Sequence, residues 1–216
     1  MVRLEPDVEL AKLYASVERY YAGKVSKHGA TPLGVDWSCV PTQELRFIEL
    51  LKLCSFFDRC SLNDVGCGYG ALLTYLGKRY PNADVDYLGI DLSSAMIRRA
   101  KRLWRHHRGA RFIVGNLSPR VADYSIASGI FNVKLDQPLD RWEHFVAKTL
   151  TDMQATSRRG FAVNFKAPQV AGRFCESGLY RTSPKQWARY CAQVLGSSVE
   201  VTTGYGLREF TLLVRK

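Results

Sequence analysis

Asp64-Val65-Gly66-Cys67-Gly68-Tyr69-Gly70 places an acid immediately before a tight glycine turn. Upstream lies a short apolar-leaning run, Cys60 to Val65, and downstream Ala71, Leu72, Leu73, Tyr75 and Leu76 carry a helical pattern. Strand, glycine turn and helix in that order build a cradle for a nucleotide-type cofactor. Glycines tolerate positive φ and close approach of a ligand, and the free N–H groups of a helix start attract an anionic group. The glycines alone fit two cofactor classes, because Gly66, Gly68 and Ala71 also satisfy the looser dinucleotide fingerprint. Asp64 decides between them. A dinucleotide site wants an uncharged strand end against the pyrophosphate, whereas an acid there suits a cationic amino group.

Twenty-one residues past Gly70, a second acid, Asp91, closes the run Val85-Asp86-Tyr87-Leu88-Gly89-Ile90-Asp91. A carboxylate ending a second strand can accept from both hydroxyls of a ribose. The third element is Ala110-Arg111-Phe112-Ile113-Val114-Gly115-Asn116. Together these segments resemble the class I S-adenosylmethionine-dependent methyltransferases, whose first motif reads acid-x-Gly-x-Gly-x-Gly and whose third strand commonly ends in Gly-Asp. Asn116 stands where that acid is usual, and its amide oxygen can still accept from an adenine amino group.

The resemblance covers roughly Leu62 to Lys216 and implies an α/β fold. That fold is a Rossmann-like, seven-stranded, mostly parallel sheet with a C-terminal antiparallel hairpin, helices on both faces and a helical N-terminal cap. It also implies S-adenosylmethionine as cofactor. Asp64 would hold the methionine amino group, Gly66 and Gly68 would make room for the methionine moiety, and Asp91 would bind the ribose. Leu92 and Leu117 would sandwich the adenine beside Asn116. Cys67, inside the glycine turn, and Ser128, at the end of the fourth strand, count among the cofactor-binding residues. A reactive thiol at Cys67 is disfavoured, since the family often has a small residue there.

A chain of 216 residues suits one α/β domain, read as a cap over residues 1–58 and a cofactor-binding core over 59–216. The six cysteines form no C-x-x-C pair and no metal-ligand spacing, which points to reduced thiols in a cytoplasmic protein without a metal. Two glutamates and an aspartate among the first ten residues argue against a signal peptide, and no apolar run approaches the roughly 20 residues of a membrane span. A soluble protein follows.

Periodicity orders the remainder. Val8 to Tyr21 reads as a first helix and Pro41 opens a second. Leu117 to Ala122 is too short for a crossover helix. Asp123 to Phe131 reads as strand four, Leu139 to Ser157 as a helix and Gly160 to Phe165 as strand five. A loop follows over Lys166 to Ser183, then a helix over Pro184 to Leu195. Ser198 to Thr203 and Glu209 to Val214 close the chain as a strand pair, an ending that argues further against a dehydrogenase.

The net charge of +11 is local in origin. No acid lies between Asp91 and Asp123, an interval holding Arg98, Arg99, Lys101, Arg102, Arg105, Arg108, Arg111 and Arg120. With Ile97, Ala100, Leu103 and Trp104 as its apolar stripe, residues 98–111 read as the outer face of an amphipathic helix. That face is either solvated or a phosphate-contacting surface for RNA or DNA.

Methyl transfer from a sulfonium needs the nucleophile held close and in line, with a base only where a proton must leave. The acceptor is expected above the carboxyl ends of strands four and five, by Ser128-Gly129-Ile130-Phe131-Asn132. This run lacks the Asp/Asn-Pro-Pro-aromatic signature of DNA amino-methyltransferases. His28, in the glycine-punctuated segment from Lys24 to Trp37, and Asn132 are the candidate catalytic residues. Tyr21, Trp37, Phe131, Arg173 and Tyr180 are candidate acceptor contacts. For His28 the alternative is a histidine satisfying backbone groups in a turn, and for Trp37 it is core packing. The favoured acceptor is a small molecule reacting at oxygen or nitrogen. The alternatives are an RNA methyltransferase docking through the basic face, a non-catalytic module of the same fold, and transfer of the cofactor's aminopropyl chain. The acceptor, its reacting atom and the oligomeric state are not encoded in any motif.

Overall fold

A computed structural model of the chain describes residues 8–56, 58–169 and 178–216. Its centre is a seven-stranded sheet in the order β3-β2-β1-β4-β5-β7-β6. The strands are β1 (Cys60–Val65), β2 (Val85–Asp91), β3 (Ala110–Val114), β4 (Ala122–Ala127), β5 (Ser157–Lys166), β6 (Ser198–Thr203) and β7 (Glu209–Arg215). The first five pair in parallel, while β7 runs antiparallel to both β5 and β6. Strand order reverses between β1 and β4, the position at which an open α/β sheet forms a crevice at its carboxyl ends.

Among the described residues six α-helices accompany the sheet: α1 (Val8–His28), α2 (Val40–Leu51), α3 (Ala71–Arg79), α4 (Ser94–Leu103), α5 (Leu139–Ala155) and α6 (Pro184–Arg189). A π-helical turn over Tyr190–Val194 continues α6. Alternating strand residues feed two cores, as the period of two requires. Leu88, Ile90, Phe161, Val163, Phe165, Leu212 and Val214 meet Leu13 and Val17 of α1 and Trp142, Val146 and Leu150 of α5. On the other face Tyr87, Ala162 and Leu213 meet Phe47 and Leu50 of α2, Leu72 and Leu76 of α3, and Ile97 and Ala100 of α4.

Several boundaries differ from the sequence expectation. Helix α1 runs on to His28, so residues 24–28 are helical and the loop begins at Gly29. The basic helix stops at Leu103, with Arg105 and Arg108 in turns and Arg111 on β3. Trp104, whose N–H bonds to the carbonyl of Ala100, caps the helix. Strand β4 ends at Ala127 because Gly129, at φ 75, turns the chain, and the Asn132 N–H closes that turn on the Gly129 carbonyl at 3.1 Å. No helix separates β3 from β4, as the short connection requires.

Candidate cofactor and acceptor site

The glycine turn is built by backbone geometry. Gly66, Gly68 and Gly70 have φ of 73, 55 and 85, a region open to glycine and strained for other residues. A Cβ at Gly66 would collide with Ile130 and one at Gly68 with Val35. The N–H groups of Gly66 and Cys67 donate to the Ile90 carbonyl at 2.7 and 3.0 Å, and that of Gly68 to Oδ2 of Asp91 at 2.8 Å. These three donors are thus used in joining the turn to β2 rather than standing free for an anion.

Asp91 is held by the same contacts. Its Oδ1 accepts from the Ser93 N–H at 2.8 Å, while the Ser93 hydroxyl accepts from the Met96 N–H as the cap of α4. Burial pushes the Asp91 carboxyl up to about 6, against the two backbone donors that lower it, and nearby Glu18 raises it further. Asp64 is only 3% exposed. Burial pushes its carboxyl up to about 7, opposed by the Tyr87 hydroxyl that donates to Oδ2 and reinforced by Asp91. A cation placed beside Asp64 would reverse that shift by favouring the ionised form.

Both acids open onto one cavity at the carboxyl ends of β1, β2 and β4. From the sheet side it is lined by Asp64, Gly66, Cys67, Gly68, Asp91, Leu92, Asn116, Ser128, Gly129 and Ile130. From α1 come Tyr14, Val17, Glu18 and Tyr21, and from the loop and α2 come Val35, Trp37, Gln43 and Phe47. The loop is fixed against α1 by Asp36, whose carboxylate accepts from Tyr20 at 2.7 Å and pairs with Lys24 at 2.5 Å. Burial drives the Cys67 thiol well upward, which leaves it protonated and unreactive.

Of the residues singled out from sequence, Asp64, Gly66, Cys67, Gly68, Asp91, Leu92, Asn116, Ser128, Tyr21 and Trp37 meet at this cavity. Others lie elsewhere. His28 sits in the last turn of α1, off the cavity wall, where its carbonyl accepts from the Thr31 hydroxyl at 2.9 Å. Leu117 is 40% exposed on the outer loop after β3. Phe131 is fully buried and stacked on Phe165 at 5.0 Å, because the Gly129 turn throws it back onto the sheet. Tyr180 is a core residue, its hydroxyl donating to Glu143 and accepting from the Trp187 indole. Arg173 lies outside the described residues. Asn132 is 2% exposed, next to the wall rather than on it, and neither atom of its amide has a hydrogen-bond partner among the described residues. The Ser128 hydroxyl is likewise buried and unpartnered there.

Of the α1 wall, the sequence singles out Tyr21 alone as an acceptor contact; Tyr14 and Val17 read only as helical periodicity, and Glu18 has no signal of its own. The one signal was spacing, since 14, 17, 18 and 21 fall on one helical face.

The cavity fits S-adenosylmethionine in its donor set. It has an acid for an ammonium, a second acid held for a diol, an amide for an adenine edge, and glycines whose missing side chains leave space. The comparisons agree. Residues 63–156 match the family described as "Methyltransferase domain". The "Putative methyltransferase Rv1506c" of Mycobacterium tuberculosis is 40% identical over 166 residues, which cover 77% of this chain and 99% of that protein. Among solved structures, a SAM-dependent methyltransferase from Aquifex aeolicus aligns at TM-score 0.58 and 16% identity over 82% of this chain and 93% of that one. The DhpI–SAM–HEP complex aligns at TM-score 0.63 and 18% identity over 94% and 98%. Sequence kinship over nearly the whole of a relative, carried on this sheet and this cavity, establishes that the chain belongs to the class I S-adenosylmethionine-dependent methyltransferases.

Proposed function

We propose that the protein methylates an oxygen or nitrogen atom of a small-molecule acceptor, held between α1, the loop at Trp37 and the turn after β4. The observation that carries this reading is a pair of polar groups at the turn with no hydrogen-bond partner among the described residues, the Ser128 hydroxyl at the cavity wall and the Asn132 amide behind it. A buried polar group left unpaired costs about 1–3 kcal/mol, and a polar acceptor at the wall offers the Ser128 hydroxyl a partner. The aromatic rings of Tyr14, Tyr21, Trp37, Phe47 and Phe145 supply the apolar remainder of the enclosure. A pocket of that character suits a small ligand fixed by few polar contacts.

S-adenosylmethionine, when bound, supplies an activated methyl group. Asp64 would hold its ammonium, Asp91 its ribose hydroxyls, and Asn116 beside Leu92 its adenine. The chain's own contribution is to orient the acceptor atom and exclude water, tasks that fall to Trp37 and Ser128 on the wall, with Asn132 behind the turn that carries Ser128. Residues 1–58 act as the cap and 59–216 as the cofactor-binding core of one domain. The buried free thiols of Cys60, Cys67 and Cys191 fit a reducing, cytoplasmic setting.

The exposed cations Arg98, Arg99, Lys101, Arg102, Arg105 and Arg108 keep an RNA acceptor in play. They follow α4 away from its N-terminus, where Ser93 and Met96 line the cavity, so a small acceptor is the stronger reading. Incubating the protein with methyl-labelled S-adenosylmethionine and either the small-molecule or the RNA fraction of a cell extract separates the two. Label in the small-molecule fraction supports the proposal. Label confined to RNA, with activity falling steeply as salt rises, replaces it.

A further inference from the structure

The wall of the cavity at Trp37 is held by a closed ring of five residues from distant parts of the chain. The guanidinium carbon of Arg46, on α2, lies 3.7 Å from the centre of the Trp37 ring. The same guanidinium grips Glu209, at the start of β7, through two parallel bonds, Nε to Oε2 at 2.8 Å and Nη2 to Oε1 at 2.7 Å. Oε2 of Glu209 also accepts from the Asn164 amide on β5 at 2.8 Å. The Asn164 carbonyl oxygen accepts from the Gly129 N–H at 2.7 Å. Gly129 completes the circuit, because a Cβ there would collide with the Trp37 indole. Lys166 lies 3.5 Å from Oε1 of Glu209 as a second, half-buried cation.

Arg46 and Glu209 are 5% and 4% exposed, so the pair is desolvated. A buried ion pair is weak evidence of stabilisation, since apolar residues of similar volume often replace one without loss. What a bidentate, stacked arginine provides is direction: the planar fork fixes both the carboxylate it grips and the ring it lies on. Two adjacent members of the ring, Trp37 and Gly129, line the cavity, and the other three tie α2 to β5 and β7.

We infer that Arg46, Glu209 and Asn164 are positioning residues which act through Trp37 and Gly129 to set the acceptor side of the cavity. None of the three lines the cavity itself. This inference rests on the acceptor lying at the Trp37 wall. It also explains why the loop leaves Trp37 partly exposed rather than buried in the core, as the ring lies against the Arg46 guanidinium and the Gly129 backbone.

The test separates geometry from stability. The Arg46→Met/Glu209→Met double variant removes both charges together and keeps the volume, so it should melt close to the parent. Trp37 is followed by acrylamide quenching of its fluorescence, taken as the difference between each protein and the same protein carrying Trp37→Phe. Cofactor-site integrity is followed by calorimetric titration with S-adenosylhomocysteine. The expected result is a quenching constant for Trp37 raised about threefold or more, with S-adenosylhomocysteine affinity changed by less than about threefold. Arg46→Lys, which keeps the charge but loses the fork and the stack, should move Trp37 in the same direction. It serves as the deciding variant if the double variant does not fold. Trp37 accessibility unchanged in the folded double variant, or in Arg46→Lys in its place, overturns the inference. Failure of the methyltransferase reading shows separately, as a parent protein that binds no S-adenosylhomocysteine.

Discussion

The hydroxyl of Tyr87 donates to Oδ2 of Asp64 from the neighbouring strand, inside a sheet where both residues are almost fully buried. Asp64 and Tyr87 come from β1 and β2, and their side chains meet under the glycine turn. The donor lowers the carboxyl while burial raises it, and burial wins, leaving Asp64 at about 7. Tyr87→Phe removes the lowering influence alone. At pH 7 its affinity for S-adenosylhomocysteine should fall several-fold and recover toward the parent value at pH 9, where Asp64 ionises without help. A calorimetric titration at both pH values checks this, and equal loss at both would make Tyr87 a packing residue only.

The parent protein should show a related dependence. With Asp64 at about 7 and Asp91 at about 6, the free protein carries protons on these acids at mildly acidic pH. Binding an ammonium beside Asp64 favours the carboxylate, so binding releases a proton and affinity weakens as pH falls below about 7. Titrations in two buffers of different ionisation enthalpy at pH 6 should report net proton release. The same shifts act on folding in the opposite sense. Both acids are raised above their ordinary value of 3.8, so the folded ligand-free protein binds more protons than the unfolded chain. Their contribution to stability is full below about 4 and is lost as pH rises through about 6 to 7.

Asp91 tests the ribose assignment. Its two oxygens are already engaged by the Gly68 and Ser93 N–H groups, so Asp91→Ala frees two backbone donors as well as removing the proposed diol acceptor. S-adenosylhomocysteine affinity should fall by about tenfold or more, since hydrogen bonds to a charged group contribute about 1.5–3 kcal/mol each. Circular dichroism should show the fold retained. Near-parental affinity in a folded variant would remove Asp91 from the cofactor site.

Much of this site was legible in the sequence, because its cofactor half is built from local order. An acid, a glycine turn and a helix lie contiguous between Asp64 and Ala71, and the second acid ends the next strand. The proposed acceptor half is built from long-range contacts with no local signature. Phe131 and Asn132 read as acceptor-facing residues at the end of strand four, yet the positive φ of Gly129 turns both inward. Tyr180 looked like a loop aromatic, and the indole of Trp187 and the carboxylate of Glu143 draw it into the core. His28 reads as a loop histidine because it lies in a glycine-punctuated segment, whereas α1 continues up to it. Arg46 and Glu209, 163 residues apart, read individually as an ordinary helix arginine and a strand-start glutamate.

Gly129 carries the sharpest prediction about the turn after β4. Its φ of 75 is one that other residues adopt only with strain, and its Cα lies against the Trp37 indole. Gly129→Ala therefore adds backbone strain of about 1–3 kcal/mol and forces the indole aside. The melting temperature should fall by several degrees, as expected for a chain of this size. Because Ser128 and Ile130 flank the same turn on the cavity wall, methyl transfer should fall further than cofactor binding does. Titration with S-adenosylhomocysteine beside a turnover assay on the labelled acceptor fraction measures that gap. Parallel losses in both would mean that the turn supports the cofactor rather than the acceptor.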